Sequence, residues 1–235
     1  MGRQFTRTIA AHDSMVGLVN EDFNILPILS RFSIPLGFGS KTIGAVCDEA
    51  GIDTNTFLLI VNFILSGKAD KVECSIDTAI GIVDFLHNSH DYFLGYKFPH
   101  IRNNLLMALD NGHSDINPAI MKFYDEYVGQ VKKHFNYEER NVWPYIRGLK
   151  TNNVQSSYNI DIFKKNHDEI GEKLSDLKNI ILRYYSTSMP NKMYDALVDI
   201  FNCEEDLNSH HKIENRILVP MIAEFEIRLR GKATD

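Results

Sequence analysis

The chain has 235 residues, a formal net charge of −6, 44% hydrophobic residues and 24% charged residues. This length suffices for one large domain, or for a small domain and a medium one, with a real hydrophobic core. The Lys and Arg side chains are scattered rather than gathered into a basic stripe, and no apolar run approaches the roughly 18 residues that a membrane-spanning helix needs. Neither nucleic acid nor a membrane is therefore expected as a partner.

The N-terminus and the cysteines indicate a reducing compartment. Residues 1–15 (MGRQFTRTIAAHDSM) lack the apolar core and small-residue cleavage site of an export signal. Cys47, Cys74 and Cys203 lie far apart and form no C-x-x-C pair, which argues against a disulfide framework or a thiolate zinc site. We predict a cytoplasmic protein in which each cysteine is a buried small hydrophobic residue.

The first 70 residues are predicted to form a small helical N-terminal domain. Apolar residues recur at spacings of three and four, which is typical of helices, over residues 15–32, 41–50 and 54–65. Gly51 is placed to end the second of these helices, and Thr54 is placed to cap the start of the third. The loop between the first two helices reads IPLGFGS.

Four longer periodic segments follow a polar stretch at residues 66–75. They cover residues 76–110, 117–149, 157–187 and 191–230. The connections NGHSDI, KTNNVQSS and STSMPN are short and rich in turn and capping residues. The predicted fold class is therefore all-α, with an antiparallel up-down four-helix bundle over residues 76–230 after the N-terminal domain.

Two of the long segments share one motif, His-x-x-x-Glu with a proline six residues after the glutamate. The residues are His134, Glu138 and Pro144 in one segment and His210, Glu214 and Pro220 in the other. On a helix, positions i and i+4 project from the same face about one turn apart. Each motif can therefore direct an imidazole and a carboxylate at one point, as a pair of metal ligands does.

The lengths of the predicted helices bring four histidines to one level. His90 lies about 30 Å before the end of its segment, and His134 lies about 26 Å after the start of the next, at 1.5 Å per residue. His167 and His210 are likewise each about 30 Å from the connection between their segments. The distances from His134 and from His167 to the connection between their segments are unequal, and the polar linker must compensate for that difference.

We predict one metal-binding layer in the bundle. Its residues are His90, His134, Glu138, His167, His210 and Glu214. Burying two carboxylates and four imidazoles is costly unless they bind cations. Nitrogen and carboxylate donors without thiolate suit iron, manganese or zinc, and two carboxylates able to bridge favour a two-metal centre.

Two neighbouring histidines compete with the predicted ligands. His87 shares the helix face of His90, and His90 is preferred because it better matches the helix lengths. His211 points about 100° away from His210 around the helix, so it is predicted to face solvent. His113 lies in a turn about 30 Å from His90 and is predicted to be a turn or surface residue.

The order of these ligands, with the strings EERNVWP and ENRILVP, resembles the hemerythrin-like domain of the iron–sulfur cluster repair (repair of iron centres) di-iron proteins over residues 76–230. The resemblance implies two irons per chain, bridged by an oxo or hydroxo group. It also implies that the four histidines are terminal ligands and that Glu138 and Glu214 bridge the irons. The strings ILPILSRFSIP and GSKTIGAVCDEAGID resemble the small helical domain of that family, but the adjacent cysteines of its first loop are missing here.

The resemblance implies a role in repairing iron–sulfur or other iron centres after nitrosative or oxidative damage. Its partners would be iron ions, small oxidants such as O2, NO and peroxide, and damaged iron–sulfur proteins. A second hypothesis is reversible O2 or NO binding or sensing, with the N-terminal helices as a signalling or dimerising module. A third is a helical interaction protein with a zinc or empty site. The sequence leaves both enzymatic turnover and homodimer formation open.

Overall fold

The computed structural model describes residues 7–67, 75–110, 112, 115–151, 158–166 and 172–232. Contacts between Cα atoms divide the chain into two compact units. Unit 1 comprises Met1–Ser89, Trp143–Lys164 and Lys212–Asp235, and unit 2 comprises His90–Val142 and Lys165–His211. The division into residues 1–70 and 76–230 stays a prediction.

The all-α class is confirmed, since the described residues contain helices and turns and no β-strand. The N-terminal helices are α1 (Met15–Glu21), α2 (Ile25–Arg31), α3 (Ile43–Ala50) and α4 (Thr54–Ser66). The later α-helices are α5 (Ile76–Tyr92), α6 (Phe98–Ala108), α7 (Asn117–Tyr137), α8 (Trp143–Lys150), α9 (Ile160–Asn166), α10 (Glu172–Tyr184), α11 (Pro190–Ile213) and α12 (Val219–Lys232). Among these described helices, none is both long and apolar enough to cross a membrane.

The N-terminal helix boundaries differ from the prediction in two places. The expected helix over residues 15–32 is broken into α1 and α2, and Asp22 between them has an extended backbone. Pro27 accounts for the break, because its ring would clash with the carbonyl four residues earlier in a continuous helix. The N-cap of α4 is Asp53 rather than Thr54, and Gly51 ends α3 with a φ of +69° as predicted.

In the described residues, three π-helical turns interrupt the long segments. They are π1 (Phe93–Lys97), π2 (Glu138–Val142) and π3 (Glu214–Leu218). The second residue after each turn is a proline: Pro99, Pro144 and Pro220. A proline inside an α-helix clashes with the carbonyl four residues back, and a π turn relieves that clash by inserting one residue. Pro144 and Pro220 belong to the motif predicted from the sequence, but the π turns themselves were not predicted.

Unit 1 contains the N-terminal helices together with α8, α12 and most of α5. Phe32 packs against Phe57 and Phe85, with ring centroids 5.2 Å and 4.8 Å away. The side chain of Asn62 accepts from and donates to the backbone of Ile9, at 2.7 Å and 2.9 Å. Cys47 is buried without a disulfide, as predicted, and burial raises the pKa of its thiol to about 11.

Unit 2 is built around one apolar core contributed by π1, α6, α7, α10 and α11. Its members include Phe98, Leu105, Tyr124, Leu177 and Ile200. Cys203 lies in this core without a disulfide, which confirms its predicted burial, whereas Cys74 lies outside the described residues. Hydrogen bonds also join α11 to π1 and α6. The Asp199 carboxylate accepts from Lys97 at 2.7 Å and from Asn104 at 2.8 Å.

Asp110 joins two loops of unit 2, and we expect its contribution to stability to depend on pH. Its carboxylate accepts from the backbone N–H groups of Ser188 at 2.8 Å and Gly112 at 3.1 Å, and these bonds lower its pKa. A carboxyl group whose pKa is lower in the folded state stabilises the protein at pH values above its unfolded-state pKa of about 4. This stabilisation is lost as the pH falls through the folded-state pKa. The unfolding free energy of Asp110→Asn should therefore lie below wild type at neutral pH and converge with it in acid. Denaturant titration across pH measures this, with the exposed Asp176→Asn on α10 as control; a gap independent of pH would contradict it.

Candidate metal centre

His90, at the end of α5, has a glutamate oxygen near each of its two ring nitrogens. It is only 2% exposed. Its Nε2 lies 3.1 Å from Oε2 of Glu138, and its Nδ1 lies 2.7 Å from Oε1 of Glu139. Two consecutive glutamates of π2 therefore contact the two sides of one imidazole.

Glu138 places its carboxylate between two histidines. Its second oxygen, Oε1, lies 3.1 Å from Nε2 of His134, one helical turn earlier. The side chain of Glu138 is completely buried. A carboxylate whose two oxygens face different imidazoles has the arrangement needed to bridge two cations, one beside each histidine.

Two groups of ligand atoms lie together around these residues, and within each group the atoms are within 4.8 Å of one another. The first group is His90, Glu138, His210 and Glu214, all buried. The second group is His134, His211 and Glu214. Glu214 belongs to both groups. Like Glu138, which lies between His90 and His134, it lies near histidines of both groups.

Helix geometry explains why Glu214 serves both groups. The helix runs without interruption from α11 into π3, and successive residues of an α-helix are about 100° apart. Glu214 therefore projects about 40° to one side of His210 and about 60° to the other side of His211. Its carboxylate lies between the two imidazole directions, with one histidine on each side.

The prediction that His211 faces solvent is wrong. Its side chain is half-buried, its Nε2 is shielded from solvent, and its ring lies 5.5 Å from that of His134 in an edge-on contact. The predicted motif pairs His210 with Glu214 at the i,i+4 spacing. The i,i+3 relation between His211 and Glu214 was an equally available signal, because both spacings share a helix face.

Residues 81–222, more than half of the chain, match the hemerythrin HHE cation binding domain. The chain belongs to the hemerythrin HHE cation-binding family. A comparison with curated proteins found no match. The all-α, hemerythrin-like helical bundle expected from the sequence is thereby confirmed.

The structure brings together five of the six predicted residues of this hemerythrin-like site: His90, His134, Glu138, His210 and Glu214. His167 lies outside the described residues, as does the alternative His113. His87 is half-buried and belongs to neither group of ligand atoms in the described part of the chain. The structure thus places His90, rather than His87, among the ligand atoms.

The donor set of the hemerythrin-like site fits a pair of metal ions. Two carboxylates, Glu138 and Glu214, are fully buried among imidazoles. Buried anionic groups are stable only when they are paired or bind cations. Imidazole and carboxylate donors together are typical of iron, manganese and zinc sites, and the two shared carboxylates match two ions better than one.

Aromatic rings enclose the first group of ligand atoms. Phe135 stacks on His90 with a centroid distance of 3.9 Å and an interplanar angle of 16°. The same ring lies 5.3 Å from His210, and Phe93 presents its edge to His210 at 6.1 Å. An apolar shell of this kind limits water at a metal site and strengthens electrostatic interactions within it.

Proposed function

We propose that this hemerythrin-like chain holds two iron ions and acts in the repair of iron–sulfur and other iron centres after nitrosative or oxidative damage. The observation that carries the proposal is the pair of ligand groups, one fully buried and one partly buried, that share the buried carboxylate of Glu214. The role in repair is supported by the sequence resemblance to the iron-centre repair proteins over residues 76–230. Its partners would be iron ions, small oxidants and damaged iron–sulfur proteins of the cytoplasm.

The geometry supports one assignment of ligands to the two ions. His90 and His210 would bind the first ion, and His134 and His211 the second. Glu138 and Glu214 would bridge them, because each carboxylate is close to ligands of both ions. His167 would add a further imidazole, as the resemblance implies.

Bound iron would supply electron transfer and the capacity to bind small oxidants. The protein's own contribution is to neutralise charge and to position donors. The carboxylates of Glu138 and Glu214 offset part of the positive charge of two cations, while Phe135 and Phe93 limit access of water to the first group. Loosening of either bridging carboxylate would lower the affinity for both ions at once, which suits a protein that releases iron to a damaged centre.

Thiol chemistry does not enter the proposal. The cysteine pair of the related N-terminal domains is missing, and Cys47 is not a substitute for it. Cys47 is completely buried, and its pKa is raised to about 11, so that it stays a protonated thiol at neutral pH. The proposal therefore assigns repair to the metal centre rather than to Cys47.

Iron transfer and reactivity with nitric oxide test the proposed function. The protein is purified anaerobically, loaded with ferrous iron, and incubated with a cluster-free iron–sulfur protein, sulfide and a thiol reductant. We expect cluster formation from the bound iron, followed by absorption and by iron content of the separated proteins. A chain that retains its iron and does not react with nitric oxide would contradict the proposal. Reversible spectral changes with O2 or NO, without iron transfer, would instead establish the carrier or sensor function.

A further inference from the structure

We infer that Glu139 is a positioning residue that fixes the orientation and electron density of His90 toward the metal centre. This inference rests on the proposed function, since it requires His90 to bind a metal ion. Nothing in the sequence motif marks Glu139, because His-x-x-x-Glu ends one residue earlier. The evidence is the hydrogen bond from Nδ1 of His90 to Oε1 of Glu139, at 2.7 Å.

The hydrogen bond determines which nitrogen of His90 faces the ligand group. A carboxylate only accepts hydrogen bonds, so Nδ1 must carry the proton that is donated to Glu139. In the neutral ring, Nε2 is then left with its lone pair. This Nε2 is the atom 3.1 Å from Glu138, on the side of the first ligand group. Glu139 therefore selects the tautomer that can bind metal through Nε2.

The ring of His90 is also held in its plane. Phe135 stacks on its face at 3.9 Å, which limits tilting of the ring, and Glu139 holds its Nδ1 edge, which limits rotation within the plane. Glu139 can reach this edge because π2 begins at Glu138, where the helix widens and presents two successive carboxylates to one histidine. Together the two contacts hold the ring in the orientation that ligation through Nε2 requires.

The negative charge of Glu139 has a second effect. A carboxylate bonded to the outer nitrogen of a metal-binding imidazole raises the basicity of the ligand. A more basic ligand favours the more positively charged state of a metal, so the reduction potential is lowered. Glu139 is 31% exposed at its side chain whereas His90 is almost fully buried, so Glu139 places this charge at the edge of the site rather than inside it.

Two substitutions of Glu139 distinguish the effect of its hydrogen bond from the effect of its charge. Glu139→Ala removes both, and we expect iron affinity to fall by about 10–100-fold, as is typical for outer-shell partners of metal ligands. Glu139→Gln keeps an acceptor oxygen, so it should retain most of the affinity while the reduction potential rises as it does in the alanine variant. Affinity is measured by competition with a chelator, and the potential by spectroelectrochemical titration of the iron-loaded protein. Glu126→Ala, an exposed glutamate of the same helical segment, is the matched control and should change neither quantity.

The results distinguish this role from a structural one. Wild-type affinity and potential in Glu139→Ala would overturn the inference and leave the proposed function intact. If the alanine variant does not fold, Glu139→Gln decides: a raised potential at an unchanged melting temperature of the iron-free protein supports the inference, and an unchanged potential overturns it. A wild-type chain that binds no iron would overturn the proposed function and this role together.

Discussion

In the double variant Glu138→Ala/Glu214→Ala, we expect bound iron to fall from two ions per chain to none. Both side chains are completely buried, and Glu214 belongs to both groups of ligand atoms. Each alanine would remove a carboxylate oxygen from the environment of both ions, and the anionic charge that offsets two cations would be lost as well. Metal analysis of anaerobically purified protein, with the absorption bands of the diferric state, measures the effect.

A control on the same helix makes this loss specific. Glu126 of α7 is 61% exposed and forms an i,i+4 ion pair with Lys122, so Glu126→Ala removes a glutamate without touching the site. It should bind iron as wild type does. Retention of two irons by the double variant would show that neither glutamate is a ligand. One zinc or no metal in the wild type would instead support the third hypothesis, a helical interaction protein.

The second large effect is a reversal, on iron binding, of which protein is more stable: wild type or the double glutamine variant. In Glu138→Gln/Glu214→Gln, we expect the iron-free protein to be more stable than iron-free wild type. The gain should not exceed about 1–4 kcal/mol, the range observed when a buried ion pair is replaced by hydrophobic residues of similar volume. The reason is that two carboxylates with no solvent exposure are costly to keep charged inside the protein. With iron the order should reverse, because binding to the folded state stabilises wild type by about 4 kcal/mol at a free iron concentration 1,000-fold above Kd.

Denaturant titrations of both proteins, with a chelator and with excess ferrous iron under anaerobic conditions, measure this inversion. Neither substituted glutamate is a member of the apolar core of unit 2, so both iron-free proteins should remain helical. Glu126→Gln should leave stability unchanged in either state because its side chain is exposed. If the double glutamine variant were less stable than wild type in both states, the two carboxylates would be structural groups rather than metal ligands.

Local patterns in the sequence predicted most of the helical architecture. The segments expected over 76–110 and 191–230 correspond to helical stretches from Ile76 to Ala108 and from Pro190 to Lys232. Apolar spacing and turn residues report on neighbours a few positions apart, which is the range over which a helix is determined. The same locality explains an error: the periodicity over residues 15–32 was continuous, yet Pro27 breaks that stretch into two helices.

The site was predicted in part for the same reason. Each His-x-x-x-Glu motif lies on one turn of one helix, so sequence alone indicated that His134 shares a face with Glu138, and His210 with Glu214. The motif contains no information about the neighbouring helices. It therefore gave no sign of the position of His211 beside His134 or of the bond between Glu139 and His90, which joins residues 49 positions apart.

The sequence by itself determined that this is an all-α chain with a histidine and carboxylate layer suited to metal, because helix periodicity and donor types are properties of short stretches of residues. Only the tertiary structure decided that Glu138 faces two histidines and that the ring of His211 lies beside that of His134. Those outcomes depend on the rotation of each helix against its neighbours. That rotation is set by how the side chains of neighbouring helices pack against one another, which no local sequence pattern records.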